Sequence, residues 1–276
     1  MKRTSVEGSN KVLSAVGLGC SRVGSFSNPL SGSEVRRLLA AAFDSGVSVF
    51  DTADVYGQGD SERELGRFLS GHRRDAAFVV TKGGKLFSTK MRLMRPFKPL
   101  LKPLLSRGGR SAVTARRTDE ISSDFSPSQI VRAVEGSLRR LRADTLDGFL
   151  LHSPPASVVA GASIWEAIVR LKQAGKITTF GVSCDTKEVL AQSLKVPGLS
   201  LLELPYDVLS VMDADVAGEI ARRKILVLAR EVIRFQPNIA PETAIANAAS
   251  MPMVSTVIVG TSKIQNLRTA VAATSP

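Results

Sequence analysis

Residues 47–69, VSVFDTADVYGQGDSERELGRFL, contain a complete strand, loop and helix together with two chemically active side chains. The run VSVF is short and largely apolar, which predicts a buried strand. Asp51 follows the run directly, and Tyr56 comes five residues later in a glycine-rich loop. Ser61 and Glu64 then have the spacing of a capping box at the start of a helix. The stretch therefore predicts a carboxylate and a phenol held together at the end of a strand.

The alternation of apolar runs and helical patterns continues on both sides of this stretch. Eight runs have the length and composition of strands that are buried on both faces. They are SAVGLGC, VSVFDTA, AFVVTK, LDGFLLH, ITTFGVS, LSLLELP, ILVLAR and STVIVGT. Eight strand–helix units in 276 residues favour an α/β fold, a single (β/α)8 TIM barrel domain over residues 1–276, instead of an open doubly wound sheet. The opening stretch TSVEGSNKVLS predicts a β-hairpin that closes the barrel floor.

Helices are predicted between the runs from apolar stripes at helical spacing. One stripe covers Val35 to Phe43, and another covers Ile164 to Leu171. Ser126 and Gln129 have the spacing of a second capping box, with a proline at the first helical position.

The ends of the predicted strands carry most of the chemically useful residues. In barrels of this kind the catalytic groups lie at the C-terminal ends of the strands, so these residues are expected to converge on one mouth. They are Asp51, Lys82, His152, Ser183, Glu203, Arg230 and Gly260. Polar residues also end strands simply because loops are solvated, so the combination of residue types carries more weight than any one position.

The side chains of Asp51, Tyr56, Lys82 and His152 together suit proton transfer to a carbonyl oxygen. A phenol, with a pKa of about 10, is a weak acid at neutral pH unless a cation stabilises the phenolate. Lys82 is a candidate for that cation, and Asp51 is a candidate to keep a buried lysine protonated. A histidine can orient a substrate oxygen or share its proton. Carbonyl reduction by such a set requires a hydride donor from outside the protein.

Five stretches, in chain order, resemble the successive signatures of the aldo-keto reductase superfamily of NAD(P)H-dependent barrel enzymes. They are DTADVYGQGDSERELGRFL, VVTKGG, RLRADTLDGFLLHSP, GKITTFGVSCD and VSTVIVGTSKIQNL. The resemblance implies reduction of an aldehyde or ketone to an alcohol, or the reverse reaction, by hydride transfer. It also implies that Tyr56 is the general acid, that Lys82 and Asp51 tune it, and that His152 orients the carbonyl.

The residues that the resemblance assigns to nicotinamide depart from the family pattern. Ser183 matches the pattern at the fifth strand, whereas Cys184 replaces an asparagine and Glu203 replaces a glutamine. Because a thiol is a weak hydrogen-bonding group and an ionised carboxylate cannot donate, we expect a weaker grip on the carboxamide. Arg230 stands where many relatives place an aromatic ring, and its planar guanidinium can also stack on nicotinamide. Cys20 is expected to border the same pocket.

The segment after the eighth strand resembles the part of the family that holds the adenosine phosphate. The residues assigned to the cofactor there are Gly260, Thr261, Ser262, Lys263 and Asn266. The start of a helix favours an anion, and Lys263 or Arg268 is a candidate partner for a 2′-phosphate. The implied cofactor is NADPH, with NADH as the alternative.

The charge of the chain is concentrated in one segment. Residues 85–117 carry ten of the 37 Lys and Arg residues and none of the 25 Asp and Glu residues, within a predicted insertion over 85–124. Because the remainder is nearly neutral, the net charge of +12 does not by itself indicate a nucleic-acid partner. Interleaved basic and apolar side chains fit an anionic small-molecule carbonyl or alcohol substrate, or a membrane surface with anionic lipid. A long loop whose charge serves only solubility fits equally well.

Other classes of protein are disfavoured by composition. The absence of a long apolar run and of an apolar signal core predicts a soluble, cytoplasmic protein. Cys20 and Cys184 form no disulfide framework, and no residues have the spacing of metal ligands. Two alternatives stay open: a barrel enzyme that uses Lys82 as a Schiff-base nucleophile, and a cofactor-sensing or regulatory protein on the same scaffold that has lost turnover.

Overall fold

A closed barrel of eight parallel strands forms the centre of the computed structural model, which describes residues 3–24, 30–87 and 121–274. The barrel strands are β3 (Val16–Gly19), β4 (Val49–Asp51), β5 (Phe78–Gly83), β8 (Leu146–His152), β9 (Ile177–Ser183), β10 (Leu201–Pro205), β11 (Leu226–Arg230) and β12 (Thr256–Val259). Each pairs with the next in this order, and β12 closes on β3 with Val257 opposite Val16. Each strand overlaps one of the eight predicted runs, so the predicted (β/α)8 barrel is confirmed.

Helices lie between the barrel strands and cover the outside of the barrel. They are α1 (Gly32–Asp44), α2 (Asp60–Phe68), α3 (His72–Ala76), α4 (Pro127–Leu141), α5 (Ala156–Val159), α6 (Ala162–Gln173), α7 (Lys187–Leu194), α8 (Tyr206–Ser210), α9 (Ala214–Arg222), α10 (Pro241–Ser250) and α11 (Ile264–Ala272). The predicted stripes are the inner faces of α1, with Leu38 and Leu39 buried, and of α6, with Ile164 and Ile168 buried. Within the described ranges, no helix has both the length and the apolarity needed to cross a membrane.

The predicted N-terminal hairpin is present and closes one end of the barrel. It consists of β1 (Arg3–Ser5) and β2 (Val12–Ser14), which pair antiparallel. Val6 and Leu13 of the hairpin are buried in the barrel interior. Burial of each such side chain stabilises the fold by about 1.5–3 kcal/mol relative to exposure to water. They pack in one cluster with the first residues of four barrel strands, Val49, Phe78, Leu201 and Leu226. Because the cluster lies where these strands begin, the hairpin forms the floor, at the end of the barrel opposite the C-terminal mouth.

The two predicted capping boxes are not formed. Helix α2 begins after Gly59, and the Ser61 hydroxyl donates instead to the Cys20 carbonyl oxygen at 3.0 Å. Ser126 does precede α4, but its side chain accepts no hydrogen bond from the first turn of that helix. A capping box is found at α1, with Ser31 as its first residue. The spacing of serine and glutamate therefore does not distinguish a helix cap from a hydroxyl that bonds across the barrel.

The described ends of the predicted basic insertion form a small sheet. Strand β6 (Lys85–Phe87) directly follows β5 and pairs antiparallel with β7 (Ile121–Ser123). The insertion therefore leaves and rejoins the barrel at the C-terminal end of the third barrel strand. Residues 88–120, which carry most of its charge, lie outside the described residues, so its recruitment of anions or of a membrane surface stays a prediction.

Candidate active site

The four side chains predicted to act on a proton converge at the barrel mouth. Asp51 ends β4, Lys82 is the next-to-last residue of β5, and His152 ends β8. Tyr56 lies on the loop after β4, and its ring meets that of His152 edge-on, with 5.8 Å between the ring centroids. The Lys82 Nζ lies 5.4 Å from the centroid of the Tyr56 ring. Tyr56 and His152 are half-buried, whereas Asp51 and Lys82 are buried beneath them.

A tight reversal of the backbone turns Tyr56 back over the strand ends. Tyr56 begins a 3-10 turn that ends at Gly59, and Gly57 and Gly59 have left-handed φ angles of 59° and 82°. Glycine adopts this conformation without a steric penalty, which explains the glycine-rich sequence of the loop. The Asp54 N–H donates to the Lys82 carbonyl oxygen at 3.1 Å and ties the loop to β5. The short loop between Asp51 and Tyr56 therefore turns back on itself, so that both side chains reach the same site.

Lys82 lies between two buried carboxylates instead of one. Its Nζ donates to Asp51 Oδ1 and to the Thr52 carbonyl oxygen at 3.3 Å. It also lies 3.0 Å from Glu203 Oε2, on the opposite side of the barrel lumen. All three charged side chains are at least nine-tenths buried. The sequence predicts Glu203 only as a cofactor contact, and its pairing with Lys82 is a finding of the structure.

Burial and these charges fix the protonation of the site. Burial by itself lowers the pKa of Lys82, but Asp51 and Glu203 outweigh it and hold that pKa above its ordinary value. Burial, and then the negative charge of Glu203, raise the pKa of Asp51 to about 7. Burial also raises the pKa of Tyr56, although the Lys82 cation opposes the shift. Burial, and then the Lys82 cation, lower the pKa of His152 well below its usual range. At neutral pH the mouth therefore holds a charged lysine, a protonated phenol and a neutral imidazole.

Glu203 also connects the proton-handling residues to Arg230. Its Oε1 accepts a hydrogen bond from the Ser183 hydroxyl at 3.2 Å and lies 3.4 Å from Arg230 Nε. The Arg230 guanidinium is further paired with Asp185 and, at 2.7 Å, with Glu231. Three carboxylates thus hold this guanidinium at the mouth. The structure brings together three predicted strand-end residues here, and it adds Asp185 and Glu231, which no motif in the sequence marks.

The two cysteines do not join this cluster. The Cys184 Sγ is 3.6 Å from Ser193 Oγ on the outer helix α7, and burial raises the pKa of its thiol to about 12. The Cys20 Sγ is also buried and lies 3.5 Å from the Leu18 carbonyl oxygen. Side chains alternate along a strand, so once Ser183 faces the lumen its neighbour faces outward. The same alternation could have placed Cys184 from the sequence.

The residues assigned to the adenosine phosphate lie in the short connection between β12 and α11. Gly260 and Lys263 are exposed, and Thr261 is buried, with its Oγ1 accepting from the Lys263 N–H at 3.0 Å. Ser262 is half-buried, and Asn266 is exposed on α11. The connection lies at the same end of the barrel as the mouth. In the described part of the chain, no group of three or more His, Cys, Asp or Glu side chains could hold a metal ion.

The raised pKa of Asp51 predicts a specific pH dependence of stability. The native carboxyl keeps a proton that the unfolded one, with a pKa of about 4, has lost, so the Asp51 contribution to stability falls as pH rises from about 4 to about 7. In Glu203→Gln the pKa of Asp51 should drop, and this decline should end at a lower pH. Urea unfolding at several pH values between 5 and 8 measures the difference.

The matched control is Glu231→Gln, which removes a carboxylate that pairs with Arg230 and has no contact with Lys82. Its pH profile should follow that of the wild type between pH 5 and 8. An unchanged profile in Glu203→Gln would contradict the assigned influence of Glu203 on Asp51.

Comparisons with known proteins agree with this fold. The model of the aldo/keto reductase family matches residues 15–233. The chain is 31% identical over 192 residues to a D-threo-aldose 1-dehydrogenase of a Pseudomonas species, in an alignment that covers 68% of this chain and 55% of the relative. The chain thus spans about half the length of the relatives it matches. The chain belongs to the aldo/keto reductase family.

Solved structures share the fold at low sequence identity. An aldo-keto reductase of Bacillus halodurans, in its holo form, has a TM-score of 0.76 at 22% identity, covering 99% of this chain and 90% of that one. An aldo/keto reductase of Klebsiella pneumoniae in complex with NADP and acetate has a TM-score of 0.69 at 20% identity, covering 95% and 86%. At these sequence identities the comparison shows only that the barrel fold is shared.

Proposed function

We propose that this protein is an NAD(P)H-dependent oxidoreductase that interconverts an aldehyde or ketone with the corresponding alcohol. The observation that carries the proposal is the position of the Tyr56 phenol, beside His152 and above the buried pair of Asp51 and Lys82. A protonated phenol at the barrel mouth can deliver a proton to a carbonyl oxygen, which is the step that carbonyl reduction requires of the protein.

In this proposal each residue has a separate role. Tyr56 donates its proton to the carbonyl oxygen and takes it back in the reverse reaction. Lys82 stabilises the phenolate that forms, and the two carboxylates of Asp51 and Glu203 keep Lys82 charged. His152 is neutral, so it orients the substrate oxygen by a hydrogen bond without competing as an acid. Its Nδ1 is buried and has no hydrogen-bond partner among the described residues.

Glu203, the second carboxylate beside Lys82, changes how strongly the site stabilises the Tyr56 phenolate. Glu203 offsets part of the positive charge that Lys82 presents to Tyr56, and its own negative charge raises the pKa of the phenol further. The phenolate is therefore less stable than beside a lysine with a single counterion. We infer that the arrangement favours the protonated phenol, the form that carbonyl reduction uses.

The donor and acceptor set at the mouth fits a nicotinamide cofactor, which supplies the hydride when bound. Glu203 Oε2 takes no hydrogen bond from any described residue, although it lies 3.0 Å from Lys82 Nζ, so it can accept from a carboxamide N–H. The Ser183 hydroxyl beside it can donate to, or accept from, the same group. At the other end, the exposed Lys263 and Arg268 offer cations for a 2′-phosphate, which favours NADPH over NADH.

The proposal is tested with purified protein, NADPH or NADH, and a panel of aldehydes and ketones, by following cofactor absorbance. Oxidation of the cofactor with at least one carbonyl substrate is expected. Cofactor binding without turnover on any of them would instead favour a cofactor-sensing protein. Trapping of a substrate on Lys82 by borohydride would favour Schiff-base chemistry, which is disfavoured by the two carboxylates that keep this lysine protonated.

Replacing Glu203 with glutamine is expected to tighten NADPH binding by about 1 kcal/mol, because the amide adds a hydrogen-bond donor for the carboxamide. Replacing Cys184 with asparagine should give no such gain, since the Cys184 side chain faces Ser193 on α7. Titration of cofactor fluorescence measures both. Weaker binding by Glu203→Gln, or equal tightening by Cys184→Asn, would contradict the assignment of Glu203 to the nicotinamide side of the site.

A further inference from the structure

A cavity lined almost wholly by arginine lies on the outside of the barrel between α2 and α4. Its volume is about 400 Å³, and it shares no lining residue with the mouth. It is lined by Arg63, Arg67, Gly136, Arg139, Arg140 and Arg142. Guanidinium groups so close together repel one another unless carboxylates or a bound anion neutralise them. The number of carboxylates that pair with these arginines therefore indicates whether a bound anion is needed to neutralise the cavity.

The protein supplies fewer carboxylates than the cavity has arginines. The ion pairs are Arg63 with Asp60 at 3.2 Å, Arg67 with Glu64 at 2.6 Å, and Arg140 with Glu62. Arg139 and Arg142 have no ion-pair partner in the ranges that the structure describes, and both are exposed. The cavity therefore has an excess of two positive charges directed at one space.

Two backbone positions near the end of α4 are unusual next to these guanidinium groups. Arg142 follows the last residue of the helix with a left-handed φ of 56°, a position where glycine or asparagine is usual and other residues are strained. Gly136, one turn before Arg140, leaves room for the Arg140 side chain, because a Cβ there would lie 2.8 Å from Arg140 Nη1. An arginine thus stands where the backbone favours glycine, and a glycine stands where a guanidinium needs space.

We propose that this cavity binds a small polyanion that carries at least two phosphate groups. Guanidinium groups bind phosphate oxygens in pairs of parallel hydrogen bonds, and the excess of two cations matches two or more negative charges. The volume lies at the lower end of the range for small-molecule sites, about 300–1,000 Å³. Because the lining residues are arginines and one glycine, most of the surface that the site offers to a ligand is polar.

The inner wall of the cavity connects to the elements that carry Tyr56 and Lys82. A Cβ on Gly59, at the end of the Tyr56 turn, would lie 2.7 Å from Arg140 Cδ. Glu62, the partner of Arg140, is fully buried and accepts a hydrogen bond from Thr81 Oγ1 at 2.7 Å. A polyanion held by Arg140 and its neighbours would therefore stabilise the packing of α2 on α4, which gives a thermal readout that does not depend on catalysis.

The test uses tripolyphosphate as the probe, with chloride at matched ionic strength as the reference, and measures binding by calorimetry and the melting temperature. Wild-type protein is expected to bind tripolyphosphate and to melt at a higher temperature in its presence. Arg139→Gln combined with Arg142→Gly should weaken binding by about tenfold or more, since it removes charge-assisted hydrogen bonds. The control, Arg36→Gln with Arg37→Gln, removes the same charge from α1 and should bind like the wild type.

The single variant Arg142→Gly separates a ligand site from a structural role. Without ligand it should melt at a higher temperature than the wild type, because glycine relieves the left-handed strain, yet it should bind tripolyphosphate more weakly. Absence of binding by the wild type, equal binding by the Arg139 and Arg142 double variant, or an equal loss in the α1 control would overturn the proposal. Displacement of tripolyphosphate by saturating NADPH would also overturn it, since the cavity would then not be separate from the cofactor site.

Discussion

Tyr56→Phe is expected to lower carbonyl reduction by about 10²- to 10⁴-fold, the range for loss of a general acid. The substitution removes only the hydroxyl, and the ring can keep its edge-on contact with His152 and its position near Lys82. Binding of NADPH should therefore persist while turnover falls. The measurements are steady-state kinetics on an aldehyde that the wild type reduces, and fluorescence titration of the cofactor.

Tyr206→Phe is the matched control, because Tyr56 and Tyr206 are the two tyrosines of the chain. Tyr206 begins α8, is half-buried, and its hydroxyl makes no hydrogen bond within the described ranges. Its replacement should leave turnover within about twofold of the wild type, as expected for a residue that does not touch the reacting atoms. Retained turnover in Tyr56→Phe would disprove the assignment of the general acid.

Lys82→Met is expected to destabilise the protein by about 3–5 kcal/mol, the usual effect of removing one partner from a buried ion pair. The reason is specific to this site: the substitution leaves both Asp51 and Glu203 buried without their shared cation. Urea unfolding at pH 7.5 measures the loss. Because stranded carboxylates take up protons, the variant should be less impaired at pH 5.5.

Two further variants test this explanation. Lys82→Met combined with Glu203→Gln removes one stranded carboxylate and should be more stable than Lys82→Met alone. Lys85→Met removes a lysine three residues away whose Nζ bonds Ser123 at the surface, and it should change stability by no more than about 0.5 kcal/mol. If the double variant is the least stable of the three, Glu203 does not act as a counterion of Lys82.

The barrel itself was predictable because its signal is local. Strands buried on both faces, such as Leu146–His152, must be apolar almost throughout, so each can be read from a few residues without knowledge of its neighbours. The absence of the predicted helix cap at Ser61 was not predictable in the same way. Its hydroxyl serves the Cys20 carbonyl oxygen and Thr52, residues brought close by the barrel, and this tertiary contact overrides the local capping signal.

The residues of the site show the same distinction between local signals and tertiary contacts. The convergence of Asp51, Lys82 and His152 follows from their places at the ends of parallel strands, which the sequence shows. The contact of Lys82 with Glu203 crosses the lumen between β5 and β10, which are separated by β8 and β9 in the barrel. Such a contact depends on how closely the barrel wall curves, and no spacing along the chain encodes that. The arginine cavity likewise requires two helices, α2 and α4, whose sequences are about 60 residues apart.

The pairing of β12 with β3 has a consequence for the order of events during synthesis. The Val257 N–H donates to the Ala15 carbonyl oxygen, and Thr256 Oγ1 donates to the Ser14 carbonyl oxygen. The first barrel strand, β3, therefore cannot complete its pairing until a strand about 240 residues later has been synthesised. At about 5–20 residues per second, the ribosome needs on the order of 10–50 s to deliver it. During that interval the edge of β3 is exposed to other chains, and closure brings together segments of very high sequence separation, which is intrinsically slow. Pulse-labelling of nascent chains should therefore show protease resistance of Val16–Gly19 only after residue 259 has left the exit tunnel.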